Sequence, residues 1–147
     1  MLNNKKYSFL LVTLQFTCIS LLIILNLSMF TKTIPLLILS LSIVFFLYTL
    51  LFNSISNFNI IPDIKDNAKL ITTGAYKYIR HPMYLTVIVT MFAPLSNSIN
   101  YANISICTTL TITILLKIKK EEYLWQKKSK AYKRYMKKTK MLIPFVL

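Results

Sequence analysis

The sequence predicts an all-α integral membrane protein, built from two transmembrane helical hairpins (about four spans) and a C-terminal amphipathic cytoplasmic helix. Three observations predict it. The chain is 55% hydrophobic with a mean hydropathy of +0.56, more apolar than an ordinary soluble domain. The apolar residues are bunched: residues 7–30 and 34–52 carry no charge, and each can cross a hydrocarbon core that needs about 20 helical residues. The cations are segregated as well. Of 18 Lys and Arg, only Lys32 falls outside if four segments cross from a cytoplasmic amino terminus, as the positive-inside rule asks. Both termini are then cytoplasmic, and a bacterial inner membrane is the expected location.

The 147 residues suit a single membrane domain. Its first part, residues 1–52, is the N-terminal hairpin. Residues 7–30 exceed the roughly 7–15 residues of a signal-peptide core and lack a small-x-small cleavage site, so they read as a retained span. The link Thr31-Lys32-Thr33 is short, and Pro35 suits the first turn of the return helix. Asn26, Ser28, Ser40, Ser42 and Asn53 are small or polar residues of the kind that knit membrane helices together.

Residues 53–81 form a cytoplasmic loop and the start of a motif. Loops of such length are functional or disordered. Phe58, Ile60, Ile61, Ile64, Leu70 and Ile71 oppose disorder and suggest a segment folded back over the membrane face. Residues 82–116 make the second hairpin, with 82–95 going out, Pro94 to Asn100 turning, and 100–116 returning. Residues 117–147 form the tail. Within 117–140, Ile118, Trp125, Tyr132 and Met136 recur at helical spacing among lysines, as in a basic amphipathic helix lying along the inner leaflet. Glu121 and Glu122 do not suit an anchor, because they repel an anionic surface; they read as an inward-facing polar contact.

The net charge of +14 admits a nucleic-acid partner, but no zinc spacing or RNA-binding signature accompanies it. The expected partner of the basic tail is the anionic headgroup layer of membrane lipids, with no nucleic acid. Cys18 and Cys107 lie in apolar segments and are read as small hydrophobes, with no disulfide and no metal site.

The stretch 74–84, GAYKYIRHPMY, holds the single glycine (Gly74) and single histidine (His81) of the chain. Gly74 can adopt backbone angles closed to other residues, His81-Pro82 favours an extended or turn step, and imidazole titrates near neutrality. By itself this is a helix-entry bend. A short second hairpin, however, brings it beside Glu121 and Glu122. Tyr76, Arg80, His81, Tyr84 and the two carboxylates can then line one pocket at the membrane surface, and ionisable residues at such a boundary are a functional hypothesis by default.

The run LITTGAYKYIRHPMYL, followed by EEYL and then AYKRYMKKTKMLIP, resembles the isoprenylcysteine carboxyl methyltransferase family, within the wider group of small membrane methyltransferases acting on phospholipids and isoprenylcysteine. The resemblance covers residues 70–144. It implies methyl transfer from S-adenosyl-L-methionine to a lipophilic acceptor reached from the bilayer, most directly an isoprenylcysteine-like carboxylate, with a phospholipid amine or a small thiol as alternatives. It also implies cofactor contacts from Tyr76, Lys77, Tyr78, Ile79, His81, Pro82, Tyr84, Glu121 and Glu122, with Tyr132 and Tyr135 closing over them. Arg80, His81 and Glu121 are the residues implied for the chemistry.

Aligned back from Tyr132, the family's glutamate pair falls on Lys120 and Glu121; with one deletion near Ser129 it falls on Glu121 and Glu122. No arginine stands just before the pair, so Lys117 and Lys119 are the candidates for the substrate, without arginine's planar fork. A carboxylate acceptor needs no general base, whereas an amine would make His81 or a glutamate the base. The reading from another class is a non-enzymatic membrane subunit whose basic tail docks on lipid or on an acidic partner.

Overall fold

The computed structural model describes residues 4–53, 57 and 59–144; Phe58 and residues 54–56 of the loop lie outside the described residues. The described chain is helical, without a strand, and its order is α1 (Lys5–Leu25), α2 (Thr33–Phe52), α3 (Pro82–Thr90), α4 (Phe92–Asn97), α5 (Tyr101–Lys128) and α6 (Lys130–Lys138). Three of these, α1, α2 and α5, are long and apolar enough to cross a membrane. This is an integral membrane protein.

Helix α1 begins where Asn4 accepts a hydrogen bond from the Lys6 amide at 2.9 Å, an N-cap that satisfies one of the first unpaired amides. Its buried stripe is Ser8, Leu11, Gln15, Cys18 and Leu22, spaced three and four residues apart on one face. Phe9, Leu10, Ile24 and Leu25 on other faces are exposed, the apolar surroundings expected of a lipid-facing helix. Helix α2 buries Pro35, Ser42 and Thr49 at seven-residue spacing, small side chains that let α3 and α4 approach closely.

The outward arm of the second hairpin differs from the single span expected over 82–95. It is two short helices, α3 of 9 residues and α4 of 6. Pro94 lacks the amide that would bond the Thr90 carbonyl, and its ring crowds that carbonyl. The helix therefore breaks at Met91.

The return arm differs in the opposite direction. It does not stop at Leu116 but continues as α5 for 28 residues to Lys128, so the tail is not one separate helix over 117–140. No Gly or Pro interrupts 101–128, and Lys, Glu and Leu are good helix formers. The break comes at Ser129, whose hydroxyl accepts from the Ala131 amide at 3.2 Å and starts α6.

Helix α5 lies antiparallel against α1. At one end the Asn26 and Asn103 amides exchange hydrogen bonds of 2.9 and 3.0 Å, and Asn97 adds a donor to Asn26 at 3.2 Å. Between the ends, Cys18, Leu22, Leu110, Ile114 and Ile118 meet Met91 in the apolar core. At the other end two lysines are buried. Lys117 donates to Gln15 at 2.5 Å and to the Ile60 carbonyl at 3.0 Å. Lys120 reaches Ser8 and pairs with Asp63 at 2.8 Å. Farther along, Lys128 donates to the Lys65 and Asp66 carbonyls at 2.6 and 2.8 Å. These three lysines strap the 60–66 segment along α5.

Lys120 is fully buried, so removing it leaves Asp63 without its ammonium partner and Ser8 without its donor. Lys120→Ala is expected to destabilise the protein by about 3 kcal/mol, as losing one partner of a buried pair does. Thermal unfolding in detergent checks this, with Lys119→Ala as the near-neutral exposed control.

Candidate cofactor and active site

The motif segment is shaped by Gly74. Its φ is +59°, and a Cβ there would stand 2.4 Å from the Phe52 ring. Both facts demand glycine: the left-handed angle is costly for other residues, and the end of α2 occupies the space. A 3-10 turn over Gly74–Lys77 follows, and Pro82 opens α3 at its first turn, where its missing amide costs nothing.

The C-terminal segment clamps this motif from outside. The Lys140 amide donates to the Tyr78 carbonyl at 3.0 Å, and the Arg80 and His81 amides donate to the carbonyls of Lys140 and Met141 at 2.8 and 3.2 Å. Tyr135 donates its hydroxyl to the Tyr76 carbonyl at 2.6 Å. Arg80 joins three elements. Its Nε donates to Glu122 Oε1 at 2.6 Å, and its Nη1 donates to the carbonyls of Met136 at 3.4 Å and of Thr139. Those carbonyls end α6, where a cation complements the unpaired groups and the helix dipole. His81, almost wholly buried, places Nε2 3.1 Å from the same Glu122 oxygen.

Behind this clasp lies a cavity of about 130 Å³ that opens to solvent, walled by α3, α5, α6 and residues 57 and 59–71. Tyr76, Arg80, His81, Tyr84, Glu121, Tyr132 and Tyr135 line it. Glu121 lines the cavity together with Tyr84; its neighbour Glu122 stands outside the lining and serves Arg80 and His81. Both members of the 121/122 pair thus face the motif, while Lys120 turns to α1.

Burial, aided by the negative field of Glu121, raises the Tyr76 phenol, and burial with both glutamates raises Tyr132. Burial pushes Tyr135 up to about 12. All three therefore remain neutral hydrogen-bond donors at physiological pH. Trp125 and Tyr132 stack with ring centroids 5.6 Å apart and planes 15° from parallel. The Tyr132 hydroxyl is buried and has no hydrogen-bond partner among the described residues. A buried hydroxyl left so is costly and calls for a partner from elsewhere.

A model of the isoprenylcysteine carboxyl methyltransferase family matches residues 36–127, which run from the start of α2 to the last turn of α5 and include the whole 74–84 motif and both glutamates. The chain belongs to the isoprenylcysteine carboxyl methyltransferase family. Methyl transfer is accordingly its general class of activity. No curated protein gives a significant match. The family match ends before α6, so the places of Tyr132 and Tyr135 rest on geometry.

Other residues suggested by the family resemblance are placed elsewhere. Lys77 and Tyr78 are exposed and line a second groove. Ile79 and Pro82 are buried in the motif's backbone turn. Lys117 is buried toward α1, 5.5 Å from the Tyr84 ring centroid, and Lys119 is exposed; neither lines the cavity. No cluster of three metal-ligating side chains occurs among the described residues. Sequence reasoning read Asn53 only as a helix-knitting residue, whereas it lines the cavity beside Tyr76, and it missed the strap formed by Asp63. One signal for Asp63 existed: it is one of only four acids in a chain of net charge +14, and an acid kept in so basic a chain has a partner to satisfy.

Proposed function

We propose that the protein is an S-adenosylmethionine-dependent methyltransferase that modifies a lipophilic acceptor reached from the bilayer. The observation that carries this reading is the Tyr132 hydroxyl, buried without a partner in an aromatic cavity that also holds Glu121. Such a site suits a ligand with a flat heterocycle, polar edges and a positive charge. Stacked rings supply the flat wall, the phenols supply donors, and Glu121 supplies an anion beside the cation. When bound, S-adenosylmethionine would supply the methyl group as an electrophile on its sulfonium.

The chain's own residues then bind and align. Tyr76, Tyr132 and Tyr135 donate or pack around the cavity, while Arg80 and Glu122 hold the motif against α5 and α6. His81 Nε2 is already shared with Glu122 Oε1, which makes His81 a positioning residue. Glu121 lines the cavity and is the carboxylate there that is not engaged by Arg80 or His81. An isoprenylcysteine-like carboxylate needs no base and relies on alignment and exclusion of water; a phospholipid amine or a thiol would pass its proton to Glu121. The α3–α4 unit completes the second hairpin as a fourth crossing element. On this reading the cavity and both termini face the cytoplasm, an orientation that the lysine distribution supports, and the membrane is a bacterial inner membrane.

The test is incubation of purified protein with labelled S-adenosylmethionine and a panel of prenylcysteine, phosphatidylethanolamine and small-thiol acceptors. Label should pass to one lipophilic class, and both His81→Ala and Glu121→Gln should reduce transfer at least tenfold. Undiminished transfer in both variants contradicts the site; no transfer to any acceptor, together with no cofactor binding, favours a non-enzymatic subunit.

A further inference from the structure

A second groove lies on the far side of the motif from the cofactor cavity. It holds about 500 Å³ and opens to solvent, between residues 77–80 and 136–144. Its floor is the backbone bridge joining Ile79 to Lys140. Lys77, Lys137, Lys138 and Lys140 line it, and no acidic residue does. All four lysines are exposed. Arg80 also reaches the groove, but its guanidinium is held by Glu122 and the last carbonyls of α6. The four lysines share one concave surface, and none of them forms an ion pair among the described residues.

The position of the groove says what anion it meets. It sits immediately before Pro82, where α3 begins, at the end of the molecule that carries nearly all the lysines. Tyr78 (54% exposed) lines it, and Ile143 (48% exposed) precedes its lining residue Pro144 in the chain, an aromatic and an aliphatic side chain of the kind that settles at the headgroup level. A soluble polyanion would gain nothing from those apolar flanks, whereas a phospholipid presents phosphate to the lysines and acyl chain to Tyr78 and Ile143.

We propose that this groove is a binding site for the phosphate headgroup of an anionic membrane lipid. The site is separate from the cofactor cavity and shares only the motif backbone and Arg80 with it. The bound headgroup neutralises Lys137, Lys138 and Lys140 and holds the 139–141 segment against Tyr78 and Arg80. A diffuse attraction of the whole basic tail to a charged surface would instead spread over all exposed lysines, which makes the two distinguishable.

The experiment is native mass spectrometry of the full-length protein in detergent, titrated with phosphatidylglycerol or with phosphatidylcholine of the same acyl chains. The wild type should retain phosphatidylglycerol at least tenfold more tightly than phosphatidylcholine. The triple variant Lys137→Gln/Lys138→Gln/Lys140→Gln should lose that preference to within about twofold. The equal charge removal Lys5→Gln/Lys6→Gln/Lys133→Gln, at exposed lysines outside the groove, should leave it intact. Lys140→Gln alone should weaken it measurably, which guards against a misfolded triple variant. Equal losses in the two triple variants would overturn the site in favour of diffuse attraction. Displacement of the lipid by equimolar inorganic phosphate would overturn the lipid as its ligand.

Discussion

Replacing Glu122 with alanine is expected to abolish cofactor binding and to destabilise the protein by about 3–5 kcal/mol. Arg80 and Glu122 side chains are only 10% and 13% exposed, so neither is well served by water when its partner is lost. One carboxylate oxygen holds both Arg80 Nε and His81 Nε2. Its loss strands a guanidinium and an imidazole at the junction of α3, α5 and α6. The double variant Arg80→Met/Glu122→Met separates structure from function. Removing both charges together should recover part of the stability, yet cofactor binding should stay lost, because the motif is no longer drawn to α5. Unfolding temperatures in detergent and cofactor titration of the three proteins check this. A Glu122→Ala protein as stable as wild type would show that the clasp contributes nothing.

Gly74→Ala is expected to be nearly as damaging. The left-handed angle costs an alanine about 1–2 kcal/mol, and the new methyl would overlap the Phe52 ring, where crowding adds about 1–3 kcal/mol. The consequences reach the site, because the turn after Gly74 sets the depth of Tyr76 and the carbonyl to which Tyr135 donates. Phe52→Ala in the same chain should relieve the overlap but not the backbone angle, so the double variant should regain part of the loss and remain below Phe52→Ala alone. A Gly74→Ala protein with unchanged unfolding temperature would contradict both causes.

Much of the fold was legible because its causes are local. The charge-free runs before Phe52, the Pro82 helix start and the Asn-rich turn near Asn100 each announce themselves within a few residues. The motif was legible too: a lone glycine, a lone histidine and a misplaced glutamate pair have few uses in a membrane helix. What escaped depends on partners distant in sequence. Lys117 and Lys120 look like the edge of a membrane span, because a lysine is costly inside one. They are instead buried by Gln15, Ser8, Asp63 and the Ile60 carbonyl, none of which lies near them in the chain. Once those lysines are accommodated, nothing stops α5, and it carries Trp125 past the membrane face to stack on Tyr132. The same long-range pairing decides between the two glutamates. Adjacent residues on a helix point about 100° apart, and only the folded position of Arg80 shows that Glu122 takes the clasp while Glu121 takes the cavity.

The central claim is that the cavity behind the clasp receives S-adenosylmethionine and supplies the missing partner of Tyr132. Calorimetric titration of the cofactor into purified protein in detergent, for wild type, Tyr132→Phe and Lys32→Ala, tests it most directly. Wild type and Lys32→Ala should bind saturably and alike. Tyr132→Phe should bind roughly tenfold more weakly, the worth of one buried hydrogen bond, while its unfolding temperature without cofactor should be unchanged or higher, since the substitution removes an unpaired buried hydroxyl. Absence of saturable binding by the wild type, or a Tyr132→Phe protein that binds as tightly as wild type, would contradict the account.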